Sequence, residues 1–335
     1  MWSAPPCASI SLLGTGRLPD GWRPDRMTLV ARDPARLLQK GTILANRSGK
    51  HSQRSISGMV NAPKISISHL TPDIPDYYAI SHLSRIWREV GLDVEVSREY
   101  ADDARLCILH HDKTRLSKDT IPDAPSGVKP LNEDVLDISK RLISTLLLTP
   151  ESDWAGPVII KSDLNHYGLQ DGGDDRAGIV ARVQKRLARH SWRWARKLPE
   201  KHYPVLASLN DVPGWVWSDQ HLVVEKFLPE YSDDGLYCVR GWIFFGDQGY
   251  AYRSLSKDPL VKATSLVRSE ILDAVPAELA ALREKMKFDF GKFDYVEHDG
   301  VPILLDANKT PTYPVSDGTP TPRMRLLAKG IEAFL

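Results

Sequence analysis

Two runs of alternating apolar residues near the C-terminus constrain the fold most strongly. They lie between Gly291 and Pro311 and are joined by Asp299-Gly300, a dipeptide that is a strong hairpin signal between such runs. On strands of period two, Asp306 and Asn308 point to the same face, and Asp294 on the partner strand could face them. Two carboxylates and a carboxamide oxygen form an all-oxygen set that suits Mg²⁺ already carrying phosphates. The hairpin therefore predicts nucleotide-triphosphate chemistry.

Three further segments lie upstream of this hairpin. Asp137-Ile-Ser-Lys140 opens a helical stretch, Gly156-Pro-Val-Ile-Ile-Lys161 reads as a short buried strand ending in lysine, and Leu222–Glu230 is an apolar strand that carries Glu225. The order and spacing of these motifs resemble the ATP-grasp superfamily, of the carboxylate–amine ligase type, over residues 62–335. The resemblance implies an α/β (α+β) ATP-grasp fold. In that fold an N-terminal pre-grasp parallel α/β domain precedes two α+β subdomains that clasp ATP.

The chain departs from the superfamily pattern at two places. Asp306 stands where glutamate is commoner, which shortens one metal-binding side chain. The segment after Asn308 lacks the glycine that is often found there. Neither change abolishes metal binding, but both leave the substrate class open.

The resemblance implies a set of nucleotide-binding residues. Lys140 and Lys161 would contact the α- and β-phosphates as mobile point charges. Glu225 would accept a hydrogen bond from the adenine amino group, and the backbone after it would read the edge of the ring. Glu230, or failing that Asp233 or Asp234, would hold the ribose hydroxyls. The expected set is Lys140, Lys161, Asn165, Glu225, Lys226, Phe227, Leu228 and Glu230.

The resemblance also implies the metal site and the groups around the transferred phosphate. Asp294, Asp306 and Asn308 would hold one or two Mg²⁺ (or Mn²⁺) between the β- and γ-phosphates. Arg240, on the strand that follows the segment Leu222–Glu230, would face the γ-phosphate. Basic residues nearby would meet the acyl substrate, because a carboxylate favours Arg or Lys as a partner. The expected catalytic residues are Arg240, Arg253, Lys257 and Lys309.

The implied reaction joins a carboxylate to an amine (or thiol) through an acyl phosphate, with ATP and Mg²⁺ as cofactors. No Ser-His-Asp or Cys-His constellation stands out, which agrees with catalysis by positioning and charge neutralisation. A small-molecule kinase on the same scaffold and a nucleotide-binding regulator without turnover remain as alternatives. The intact metal trio argues against the regulator. The expected substrates are small-molecule or peptide carboxylates and amines, and a homodimer stays open.

Composition excludes several other classes of protein. Lysine plus arginine number 44 and the acids 43, so no global attraction to nucleic acid or anionic membrane is expected. Cys7, Cys107 and Cys238 are isolated, which argues against a disulfide framework or a zinc site and favours a cytoplasmic location. No apolar run approaches the ~20 residues that a membrane span requires.

Alternation of strand and helix signals predicts the domain organisation. Residues 1–60 read as a disordered arm or a misplaced start before Met59, and residues 62–133 as the pre-grasp domain. Residues 134–221 form the expected central subdomain, opened by a helix over 134–148, and residues 222–335 the C-terminal subdomain. A polar, glycine-rich loop over 162–173, which contains Asn165, is expected to cover the phosphates.

Two other segments have both a functional and a structural interpretation. His110-His111-Asp112 ends a predicted parallel strand, where ligands bind in open α/β sheets, but it could equally be ordinary loop polarity. Residues 182–201 are strongly basic with interleaved tryptophans. They could dock an anionic partner, RNA among them, although a solvated helix face is the favoured interpretation.

Overall fold

The computed structural model describes residues 62–165, 186, 191–199, 202–313 and 319–335, all within the unit Met59–Leu335. The expectations for residues 1–60 lie outside the described residues. The strands are β1 (Lys64–Ser68), β2 (Asp93–Ser97), β3 (Leu106–Leu109), β4 (Val158–Ser162), β5 (Val205–Leu206), β6 (Leu222–Lys226), β7 (Glu230–Tyr231), β8 (Tyr237–Phe245), β9 (Gln248–Ser256), β10 (Leu266–Leu272), β11 (Phe290–His298) and β12 (Val301–Asn308). The helices are α1 (Ala79–Glu89), α2 (Lys140–Ile143), α3 (Trp192–Ala195), α4 (Gly214–Ser218), α5 (Ala277–Lys285) and α6 (Pro322–Lys329).

The described residues form a mixed α/β fold, as predicted, with one parallel and two antiparallel sheets. The first sheet is parallel, in the order β2-β1-β3. Helix α1 connects β1 to β2 and buries Ile80, Leu83 and Trp87, because its apolar residues recur at helical spacing. Because β1 and β3 are parallel neighbours, their carboxyl ends lie side by side. No helix among the described residues combines the length and apolarity needed to span a bilayer.

The helix predicted over residues 134–148 is wrong in extent, because only α2 is α-helical there. The backbone on either side of α2 bonds to neighbouring elements instead. The amide of Ile138 donates to Thr114 O, and the amide of Leu148 donates to Val224 O of β6. Tertiary hydrogen bonds thus replace the i to i−4 bonds that a longer helix would make.

The second sheet is antiparallel, in the order β5-β4-β6. Its central strand, β4, is buried along its whole length. Helix α4 packs beside it through Val216, in an apolar cluster with Val158 and Val224. This sheet positions the end of β4, where Lys161 lies, opposite β6.

The third sheet is antiparallel and runs β10-β9-β8-β11-β12, with β7 paired to one end of β8. The predicted Asp299-Gly300 turn joins β11 to β12, and both residues have the positive φ (51° and 76°) that a type I′ turn demands. Strand β10 was not predicted. A bulge after the Asp294–Asp306 pair leaves Leu305 without a cross-strand partner.

The two faces of the third sheet have different coverings. Helix α5 covers one face through Leu279, which packs with Phe244 and Phe293. The other face packs at one end, through Ile243, Phe245 and Phe290, against α1, α6 and the first sheet in a shared core. The remaining part of this second face carries the predicted metal ligands.

Candidate active site

Strand register brings the three predicted metal ligands to one face of the third sheet. Asp294 pairs with Asp306, and Lys292 pairs with Asn308, across β11 and β12. Cross-strand partners point to the same side, as do alternate residues of one strand. We call this side the carboxylate face. Its two carboxylates and one carboxamide oxygen are hard donors of the kind that Mg²⁺ prefers.

Lys292 is a fourth polar residue on the carboxylate face and is not among the residues predicted from the sequence. Its Nζ lies 2.8 Å from Oδ1 and 3.0 Å from Oδ2 of Asp294. Burial is the largest influence and would lower the pKa of Lys292, but Asp294 and Tyr252 together outweigh it and raise the pKa above its ordinary value. The period-two spacing from Asp294 was the signal that could have revealed this lysine.

Lys140 and Asn165 reach the carboxylate face from the central part of the chain. Lys140 is 4% exposed, and its Nζ lies 3.1 Å from both Asp306 Oδ1 and Asn165 Oδ1. The side-chain Nδ2 of Asn165 also donates to the Ala307 carbonyl at 3.0 Å. Asp163 holds this junction together, since its carbonyl accepts from the Lys140 amide and its buried carboxylate binds Arg115 at 2.6 Å. Two predicted nucleotide-binding residues and one predicted metal ligand therefore meet.

Lys161 and Glu225 form a buried ion pair on the second sheet. Nζ of Lys161 lies 2.6 Å from Oε2 of Glu225, which is 1% exposed. Neither oxygen of Glu225 accepts a well-aligned hydrogen bond, despite this close approach. A buried carboxylate with unused acceptor capacity is costly and is expected to have a partner in the working protein.

In the segment after Glu225, two backbone amides already donate hydrogen bonds within the protein. The amides of Lys226 and Phe227 donate to Leu146 O and Pro157 O, and the Lys226 ammonium lies 5.0 Å from the centre of the Trp154 ring. These two amides are already engaged, so a nucleotide would have to use other polar groups of the segment that ends with Leu228.

Arg240 and Glu230 lie together, but away from the predicted metal ligands. Arg240 pairs with Tyr295, one residue beyond Asp294, so its side chain points to the opposite face of the sheet. Its Nε lies 2.9 and 3.0 Å from the two oxygens of Glu230, and its Nη2 lies 2.9 Å from Glu297. This corrects the expectation that Arg240 faces the same phosphate as the metal ligands.

The other predicted catalytic residues are also dispersed. Arg253 pairs with Arg240 in register and binds Glu270 at 2.6 Å, on the face opposite Asp294. Lys257 is exposed at the strand end. Lys309 is 2% exposed and donates to Val135 O at 3.0 Å, so its amine is interior rather than at an open substrate site. The structure does not gather these three residues around one point.

His110 and His111 are buried at the carboxyl end of β3. His110 Nδ1 lies 3.2 Å from His69 Nδ1, and His111 Nε2 lies 2.8 Å from Ser68 Oγ. Burial lowers the pKa of both imidazoles, to about 4 for His111, so both rings are neutral near pH 7. They join the carboxyl ends of β1 and β3 in a polar cluster next to Asp112.

Parts of two predicted features lie outside the described residues: positions 166–173 of the glycine-rich loop, and Arg182, Lys185, Arg189 and Lys201 of the basic segment. In the described part of that segment, Arg193 stacks 5.0 Å above Trp192 and donates to Asp211 O. Trp194 is 89% exposed. Neither the docking nor the solvated-face interpretation is decided by these contacts.

The donors on the carboxylate face suit a metal ion that is also bound to a nucleotide. They are too few for a metal ion whose ligands all come from the protein. In the described part of the chain no group of three His, Cys, Asp or Glu side chains could hold a metal ion. The carboxylate face offers two aspartates and one asparagine. Mg²⁺ usually keeps water or substrate phosphate oxygens as further ligands, so three protein donors suffice when a triphosphate completes the shell.

A cavity of about 820 Å³ lies elsewhere, beside Lys129, Arg283 and Phe288. Its lining includes Trp242, whose side chain is on the face opposite Asp294. None of the predicted site residues borders it.

No protein-family model and no curated protein sequence matches this chain. Solved structures do resemble it. The RimK domain ATP-grasp protein of Sphaerobacter thermophilus is 11% identical, with 73% of this chain and 91% of that chain covered and a TM-score of 0.39. D-alanine–D-alanine ligase of Bacillus anthracis is 15% identical, with 75% and 88% covered and a TM-score of 0.37. The macrocyclase MdnC of Microcystis aeruginosa, bound with precursor peptide MdnA, is 11% identical, with 79% and 98% covered and a TM-score of 0.44. With TM-scores below 0.5 and identities of 15% or less, these similarities carry no argument about the activity or substrate of this chain.

Proposed function

We propose that this chain is an ATP- and Mg²⁺-dependent ligase of the ATP-grasp type, which activates a carboxylate as an acyl phosphate and joins it to an amine. The observation that carries the proposal is the meeting of Lys140 with Asp306, 3.1 Å apart in space and 166 positions apart in sequence. Such convergence joins a predicted phosphate-binding lysine to a predicted metal ligand. A surface hairpin that binds no ligand would not need a buried lysine from a distant segment beside its aspartate.

The buried cations supply the nucleotide-binding part of the proposal. Lys140 and Lys161 are held at 4% and 9% exposure, where their charges act through a lower effective dielectric than in water. They would contact the α- and β-phosphates. Glu225, with acceptor capacity left over, would receive the adenine amino group. The Lys161–Glu225 pair would thus set the distance between the base and the phosphates.

Asp294, Asp306 and Asn308 would hold the metal ion. Bound there, Mg²⁺ would supply charge neutralisation between the β- and γ-phosphates. Lys292 would supply a further cation on the same face, since its amine already lies beside Asp294. Arg240 and Arg253 have no part in this assignment because their side chains lie on the opposite face of the sheet, and Lys309 has none because its amine is interior. Lys257, exposed at the strand end, is given no role.

The proposed reaction has two balanced steps. A carboxylate oxygen of the acid attacks the γ-phosphorus, a new O–P bond forms, and the bond to the β,γ-bridging oxygen breaks to release ADP. The amine nitrogen then attacks the acyl carbon, phosphate leaves with the C–O bonding electrons, and the amine loses a proton to solvent. This chain's residues position the two substrates and stabilise charge, and none needs to become covalently bound.

The first test is calorimetric titration of the full chain with ATP and Mg²⁺. Wild type is expected to bind, and Asp306→Ala combined with Asn308→Ala is expected to weaken binding strongly by removing two of three metal donors. Asp273→Ala, which removes an exposed carboxylate beyond β10, is the matched control and should bind as wild type does. Absence of binding to wild type would overturn the proposal.

Product analysis then separates ligation from the kinase alternative. Acid–amine pairs are screened for ADP release, and the fate of the γ-phosphate is followed. A ligase releases inorganic phosphate only when both co-substrates are present. A kinase would leave the phosphoryl group on a single product, and that result would replace the ligase assignment.

A further inference from the structure

A chain of hydrogen bonds connects the first sheet to the metal-ligand hairpin. It starts at Tyr78, whose hydroxyl donates to Asp112 Oδ2 at 2.6 Å. The Thr310 hydroxyl donates to the other carboxylate oxygen, Asp112 Oδ1, at 2.7 Å. The Thr310 amide donates to Asn308 Oδ1 at 2.8 Å. Tyr78 directly precedes α1, Asp112 follows β3, Asn308 ends β12, and Thr310 lies just beyond it.

In each of these hydrogen bonds the donor and the acceptor can be assigned. Burial, and then the hydrogen bond to Asp112, raise the pKa of Tyr78 far above its ordinary value, so its hydroxyl keeps the proton it donates. Thr310 has one hydroxyl hydrogen, and its contact with Asp112 is shorter than the 3.2 Å contact with Asn308. The hydroxyl is therefore committed to Asp112, which leaves the Thr310 amide to bond Asn308.

The last link determines how the Asn308 carboxamide is oriented. An amide N–H can only donate, so the atom facing it must be the carboxamide oxygen rather than the nitrogen. That oxygen has two lone pairs, and one stays available to a cation on the carboxylate face. This N–H belongs to the backbone, so the Thr310 hydroxyl acts on Asn308 indirectly, by anchoring the amide through its bond to Asp112. If the amide moved, the carboxamide could turn its NH₂ group toward the metal position.

Backbone contacts hold the same segment against the first sheet. The Ala79 amide donates to Pro311 O at 2.9 Å, and the Tyr313 amide donates to Tyr77 O at 2.7 Å. Thr310 itself is 1% exposed. The hydroxyl of Thr310 thus has a fixed position relative to Asp112, which lies 198 positions away in the sequence.

We propose that Asp112 and Thr310 are positioning residues that orient Asn308 for a divalent cation, Mg²⁺ or Mn²⁺. The inference rests on the proposed function, because it assigns a role toward that metal. Groups that orient metal ligands in this way typically change metal affinity about 10- to 100-fold when they are lost.

The test is direct Mn²⁺ binding to the full chain, measured from the electron paramagnetic resonance signal of free Mn²⁺ with a non-hydrolysable ATP analogue at saturation. Thr310→Val keeps the shape but removes the hydroxyl, and it should weaken Mn²⁺ binding by about 10- to 100-fold. Thr310→Ser keeps the hydroxyl and should bind Mn²⁺ as wild type does. Asp112→Asn, which keeps the shape but loses the charge, should weaken Mn²⁺ binding in the same direction as Thr310→Val.

A purely structural role would give a different pattern. It would lower the melting temperature of the variants without changing the Mn²⁺ affinity of the folded fraction, and that result overturns the inference. If Thr310→Val does not fold, Asp112→Asn with wild-type Mn²⁺ affinity overturns it equally. Failure of wild type to bind Mn²⁺ would overturn the proposed function as well. If Mn²⁺ binding is lost in the double variant Asp306→Ala with Asn308→Ala but kept in the Thr310 and Asp112 variants, the proposed function stands. The positioning role of Asp112 and Thr310 is then overturned.

Discussion

The buried pair Lys161–Glu225 makes two contributions that can be measured separately. Lys161→Met leaves the Glu225 carboxylate, 1% exposed, without a countercharge, which is expected to cost about 3–5 kcal/mol of unfolding free energy. Lys161→Met combined with Glu225→Leu removes both charges and should recover most of that loss. Urea unfolding measures both variants. A double variant as unstable as the sum of the two single changes would contradict this account of the pair.

Nucleotide binding should not recover with stability. The double variant lacks both the lysine expected at the phosphates and the carboxylate expected at adenine, so ATP binding should remain absent although the protein is folded. Stable protein with full ATP affinity would show that the pair has only a structural role.

At the scale of elements, the β11–β12 hairpin depends on the backbone of its turn. Gly300 has a φ of +76° with open space around its Cα, so Gly300→Ala introduces backbone strain and no clash. An L-residue in this region costs roughly 1–2 kcal/mol, which should appear in urea unfolding. Gly214→Ala is the matched control, since Gly214 also has open space but no positive φ, and it should be neutral or slightly stabilising. Equal effects of the two substitutions would contradict the turn assignment.

At the scale of the whole described unit, one apolar core joins the first sheet to the third. Leu327 of α6 is fully buried in this core, whereas its neighbour Leu326 is 40% exposed. Leu327→Ala should therefore cost about 2–5 kcal/mol, and Leu326→Ala should cost much less. Hydrogen exchange should show β1 and β11 losing protection together in Leu327→Ala. Loss confined to one sheet would mean that the two unfold independently.

The part of the site that could be predicted from sequence is the part that depends on local rules. Period-two alternation places Asp294, Asp306 and Asn308 on one face, and the Asp-Gly turn determines the pairing of their strands. The same alternation places Lys292, two residues before Asp294, on that face. Separating Arg240 from Asp294 required the register between β8 and β11, which only the structure supplies.

Contacts between distant segments were decided only by tertiary structure. Helix α2 is shorter than the predicted helix because the backbone carbonyls of Thr114 and of Val224 in β6 accept the hydrogen bonds of the residues on either side of it. Lys140 reaches Asp306, and Thr310 reaches Asp112, through the docking of segments far apart in the chain. Local propensity cannot encode such distances, because they depend on how the sheets pack. The sequence by itself thus determined the hairpin and its set of oxygen donors, and the tertiary structure decided which cations and which positioning residues surround them.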